Sequence, residues 1–183
     1  MILDQSENNK RIAKNTLLLY FRMFFTMAVT LYTSRVILKA LGVEDFGIYN
    51  VVAGIVTLFS FFSGALSSAA SRFISFELGS NNTSYLSKVF SAIFIIHLLF
   101  SVVVVCFAET IGLWVVNCKL TIPPERIFAA HVVYQFSVFS CIEGIMQIPL
   151  NAMIIAHERL GIYAYMSICE VIGKLSIAFV VTY

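Results

Sequence analysis

Several charged side chains sit inside stretches that are otherwise apolar, where the chemistry open to them is holding or moving an ion. Arg22 lies about a third of the way into one apolar run, and Arg35 stands near that run's far end. Arg72 comes late in the second run, Glu143 lies in the fourth, and Glu170 and Lys174 lie in the fifth. A charge at the centre of a bilayer costs about 2.5–3.5 kcal/mol on insertion scales, so such groups pair, face a bundle interior or line water. Helical projection puts Asn15, Thr26 and Thr33 on the face of Arg22 and Arg35 on roughly the opposite face, close enough to the end to reach headgroups. His131, Gln135, Glu143 and Gln147 share a four-residue register, one polar stripe along an apolar helix. Glu170 and Lys174 have the favourable Glu-then-Lys spacing, which fits mutual neutralisation as well as a place in a hydrated interior. His97 reads as an interhelical hydrogen bond and Glu109 as an interfacial group, leaving Arg22 and Glu143 as the strongest cavity residues.

The second charge-bearing stretch is also rich in small residues. Ser63, Ser67, Ser71 and Ser75 recur every four residues, and Ser60, Gly64 and Ser68 form an adjacent row on the same side of a helix. Lipid tails are as apolar as leucine, so helices associate through close backbone approach and hydroxyl bonds rather than through burial alone. The stripe therefore reads as a packing seam, or as a face turned to water in a cavity.

The elements that must hold these residues follow from the apolar runs. The 183 residues are 60% hydrophobic and 12% charged, with a mean hydropathy of +0.90, well beyond soluble averages. Runs at 16–40, 46–78, 89–116, 127–150 and 160–183 each reach the roughly 20 residues a membrane helix needs. The expected fold is thus an all-α integral membrane domain of five transmembrane helices after a polar segment, 1–15. The second run is long enough that it must tilt, bend near Ser63-Gly64, or project from the membrane with Arg72.

Gly42 suits a helix end with Glu44 and Asp45 opening the next helix, Pro123 and Pro124 suit the start of the fourth span, and Pro149 its end. Lys10, Arg11, Lys14, Arg72, Lys88 and Arg159 collect on one side and Lys39, Lys119 and Arg126 on the other, which places the N-terminus in the cytoplasm.

Other chemistries find little support. Cys106, Cys141 and Cys169 lie in apolar runs, Cys118 lies in a loop, and no C-x-x-C spacing occurs, so neither disulfides nor a metal site is expected. A formal charge of +2 gives no basis for nucleic-acid binding. No motif brings His97, His131 or the His157-Glu158 pair together for acid–base catalysis, and no cofactor is implied. The fifth run reaches Tyr183 without a polar flank, which reads as the N-terminal piece of a longer protein.

The basic N-terminus running into the first span, the S-R-x-x-L-x-x-L-G-x-x-x-F-G-I-Y pattern from Ser34 to Tyr49, and A-x-S-R-F-I from Ala69 to Ile74 resemble the N-terminal region of bacterial polysaccharide flippases of the Wzx type, in the multidrug/oligosaccharidyl-lipid/polysaccharide exporter superfamily. The resemblance implies most of the N-terminal lobe of a twelve-or-more-helix exporter in the bacterial inner membrane. It implies alternating access that flips undecaprenyl-pyrophosphate-linked oligosaccharide for O-antigen, capsule or exopolysaccharide. It also implies that Arg22 and Arg35 face the lumen, that Arg72 stands where a headgroup enters, and that the remaining helices come from a longer chain or another membrane protein. The alternatives are an ion-coupled drug antiporter of the same fold, with Glu143 or Glu170 as its ion site, and a small accessory protein acting through the serine seam.

Overall fold

The computed structural model describes residues 2–80 and 83–182, without the side chains of 2–9, 11, 12, 60, 83, 84 and 180–182. Asn81, Asn82 and the side chains of Arg11 and Ser60 therefore lie outside the described residues. Among those described, every regular element is helical: α1 (Ile2–Thr57), a 3-10 turn at Leu58–Ser60, α2 (Phe61–Gly79), α3 (Thr83–Phe107), a π turn at Ala108–Gly112, α4 (Leu113–Cys118), a 3-10 turn at Pro124–Arg126, α5 (Ile127–Ala156) and α6 (Leu160–Thr182).

Among the described residues, four stretches are long and apolar enough to cross a membrane: Ala13–Thr57, Tyr85–Cys118, Pro124–Ala156 and Leu160–Phe179. The expectation of five spans differs at 46–78. Residues 44–57 continue α1 beyond a break at Gly42, and the 3-10 turn at Leu58–Ser60 separates them from α2. The interruption falls just before the Ser63-Gly64 step. Arg72, Glu77 and the serines of α2 together lower its hydropathy, and α2 falls outside the four. At Gly42, φ is 78° and ψ is 173°, a combination open essentially to glycine alone. No atom lies near the place a Cβ would take, so backbone conformation rather than close packing calls for glycine there.

The fourth run differs too. Pro149 was expected to close it, yet α5 runs on to Ala156 with Pro149 buried. A proline in a helix interior removes one rung of the hydrogen-bond ladder at a cost of roughly 3 kcal/mol. Burial of Ile148 and Ala152 in an apolar cluster on either side of it offsets that loss.

The chain divides into two units, Met1–Val43 with Glu158–Tyr183, and Glu44–His157. In the first, α1 and α6 touch through long side chains. Arg22 meets Tyr163 and Ser167, and Tyr32 meets Phe179 with ring centroids 6.0 Å apart, so the two helices run parallel. In the second unit α5 is the central member, packed on both α2 and α3. One cluster joins Val52 and Val56 to Ala108, Val116, Ala130, Tyr134 and Val138; another joins Ala70 and Ile74 to Ile93, Ile148 and Ala152. These pairings set α3 antiparallel to α5. The outward faces are apolar, with Phe24, Phe61, Phe76 and Phe128 all well exposed.

Candidate functional site

Arg22 is half-buried on a face of α1 whose other polar members, Asn15, Thr26 and Thr33, are half-buried as well. Its guanidinium carbon stands 4.4 Å from the centroid of the Tyr163 ring, and Nη1 donates to Ser167 Oγ at 3.0 Å. Ser167 Oγ in turn donates to the Tyr163 carbonyl at 3.0 Å, which fixes the acceptor. Tyr163 and Ser167 are one helical turn apart on α6, so a single face supplies both the aromatic and the hydroxyl. Among the described residues no carboxylate pairs with Arg22, and its Nε is buried without a hydrogen-bond partner. Thr33 Oγ1, further along the same face, is also buried and unpartnered. The result is a cation held in position but not neutralised, suited chemically to an anionic oxygen.

The other charged residues are distributed differently. Arg35 is exposed on α1. Glu170 and Lys174 form an ion pair of 2.6 Å along α6, with both side chains more than half exposed, so each is answered by its neighbour. These three share a unit with Arg22, whereas Arg72 and Glu143 belong to the other unit, where both are exposed. In the α2 stripe, Ser63, Ser67 and Ser71 are half-buried, while Gly64, Ser68 and Ser75 are exposed; the fully buried positions of that helix are Ala70 and Ile74.

The α5 polar stripe divides in two. His131 Nε2 lies 2.7 Å from Asn117 Oδ1, and Gln135 Nε2 donates to Glu109 Oε2 at 3.2 Å. Glu143 and Gln147 are exposed and carry no side-chain partner among the described residues. An open groove of about 460 Å³ runs along α5 beside Tyr49 and Thr57, lined also by Val133, Phe136, Ser137 and Cys141. Its lining contains none of the charged residues just described.

Between the two bonded pairs lies a feature the sequence reading did not single out. Tyr134 Oη donates to the Ala108 carbonyl at 2.8 Å, at the start of the π turn. A Cβ on Gly112 would collide with the Tyr134 hydroxyl, so glycine is required for that approach. Gly112 inside an apolar helical run was the available signal, since such a glycine often marks close packing. Just before α5, Arg126 Nη1 pairs with Asp45 Oδ2 of α1 at 3.0 Å.

His97 departs from its expected role. Its Nδ1 is 2.8 Å from the carbonyl of Ile93 on its own helix, and Nε2 is buried without a partner. No cluster of metal-ligating side chains occurs among the described residues. No family model, curated protein or solved structure matches the chain.

Proposed function

We propose that this chain is a multi-pass inner-membrane protein with a cytoplasmic N-terminus, and that it takes part in flipping pyrophosphate-linked oligosaccharide lipids between leaflets, with Arg22 receiving the anionic headgroup. The observation that carries the reading is the state of Arg22: stacked on Tyr163, anchored by Ser167, unpaired with any described carboxylate, and within a helix of membrane-crossing length. Cations placed in a membrane are usually neutralised by a partner. One fixed in place and left unpaired is complementary to a phosphate oxygen, which a guanidinium binds through short, charge-assisted bonds. The resemblance of the 34–49 and 69–74 segments to polysaccharide flippases supports the same passenger class.

In the host, Arg22→Ala should lower polysaccharide export severalfold at unchanged abundance in the membrane, with Arg22→Lys intermediate because it keeps the charge and loses the planar fork. Unchanged export at equal abundance removes Arg22 from the mechanism. A second reading, ion-coupled drug efflux, is favoured by Glu143, an unpartnered carboxylate within another helix of membrane-crossing length. It expects efflux of cationic dyes that collapses with the proton gradient and in Glu143→Gln.

A further inference from the structure

Among the described residues two backbone positions have a positive φ, Gly42 at 78° and Glu158 at 55°. The chain passes between its two units at these same places, from Val43 to Glu44 and from His157 to Glu158. Backbone conformation and packing therefore change at the same residues, at both crossings. For an L-residue such as Glu158 the left-handed conformation is disfavoured, and Gly42 occupies a region open essentially to glycine. Both places are exposed, Leu41 to Glu44 at one and His157 to Arg159 at the other.

On the two sides of each crossing the chain is committed to different units. Before Gly42, Arg22 and Tyr32 of α1 hold Tyr163, Ser167 and Phe179 of α6. Directly after it, Asp45 pairs with Arg126 at 3.0 Å, and Val52 and Val56 are buried with Tyr134 and Val138 of α5. At the second crossing the His157 N–H closes α5 on the Met153 carbonyl at 3.2 Å, while the Arg159 carbonyl opens α6 by accepting from the Ile162 N–H at 3.0 Å. Glu158 thus stands where one helical ladder ends and the next begins. At Gly42 the space that a Cβ would take is empty.

We propose that Gly42 and Glu158 are the paired pivots of a hinge, about which the unit made of α6 and the first part of α1 turns as one body against Glu44–His157. Hinges are a few loop or element-terminal residues that absorb a φ/ψ change between packed bodies, and both positions have that character. A rigid body held at two points keeps one rotation, about the line joining them, so the pair sets a single axis. Arg22, Tyr163 and Ser167 all belong to the same unit, so the guanidinium and its supports travel together and the motion carries their site without taking it apart. The hinge does not depend on what Arg22 receives.

The test is pulsed electron paramagnetic resonance on the full chain in nanodiscs, with nitroxide labels on Cys118 of one unit and Cys169 of the other, both exposed, in a Cys106→Ala, Cys141→Ala background. Two pairs confined to one unit serve as references, Lys88→Cys with Cys118 and Lys39→Cys with Cys169, the remaining cysteines being replaced in each. The proposal expects the Cys118–Cys169 distances to spread at least about twice as widely as either reference, because the bodies are rigid and the connection between them is not. Alanine does not readily take the Gly42 dihedrals, so Gly42→Ala should displace the Cys118–Cys169 distribution and leave both references in place. A Cys118–Cys169 distribution no wider than the references overturns the proposal, and so does one that Gly42→Ala leaves unmoved. Should Gly42→Ala fail to fold by circular dichroism, the comparison with the references decides alone.

Discussion

At the scale of single residues, the charged side chains separate by how well each is answered. Arg22 has a ring and a hydroxyl but no described carboxylate, whereas Lys174 has Glu170 at 2.6 Å on its own helix. The pair was readable from spacing alone, because i and i+4 positions always meet on a helix. The Arg22 site was legible only on one side. Projection gave the polar face of α1, but Tyr163 and Ser167 lie far away in sequence and carry no charge to mark them. If α6 crosses the bilayer, its exposed ion pair faces a medium in which a lone charge is far costlier than a neutralised one. Lys174→Met should therefore reduce the amount of protein in the membrane fraction, and Glu170→Gln added to it should restore that amount, by immunoblot of isolated membranes. Equal abundance of all three proteins contradicts a membrane setting for this pair.

At the scale of elements, helix identity was legible, and of the interruptions only the one at Gly42 was. Apolar runs announced α3, α5 and α6, and Gly42 announced its own break. The π turn at Ala108–Gly112 and the passage of α5 through Pro149 both depend on what packs opposite, and a periodicity carries no such information. The π turn ties α3 to α5 through Tyr134. Gly112→Ala should destabilise by about 1–3 kcal/mol, the usual effect of overpacking, and Tyr134→Phe by about 1 kcal/mol for one buried hydrogen bond. Because the offending atom is the Tyr134 hydroxyl, Gly112→Ala should be much milder in the Tyr134→Phe background. Thermal unfolding of the four proteins in detergent gives this cycle, and strictly additive effects would rule out the contact.

At the scale of the whole molecule, each of the two units has its own helix directions. α1 and α6 run parallel within one unit, and α3 and α5 run antiparallel within the other. The Arg126–Asp45 pair and the Lys119 ammonium 5.1 Å from the Trp114 ring gather charge and aromatic surface at one end of the second unit, the composition of a membrane–water boundary. On the proposed orientation, with a cytoplasmic N-terminus, Cys118 at that end would face outward. A variant keeping Cys118 as its sole cysteine should react with an impermeant maleimide in intact cells, and reaction only after the cells are opened would invert the orientation.

The central claim, an anion-receiving guanidinium inside the membrane, is tested most directly by lipid binding to the purified full chain in nanodiscs. Polyprenyl pyrophosphate should bind at least about tenfold more tightly than the uncharged polyprenol, and Arg22→Ala should abolish that difference, as expected for loss of a charge-assisted contact. Equal binding of the two lipids, or a preference for pyrophosphate that survives in Arg22→Ala, would contradict it.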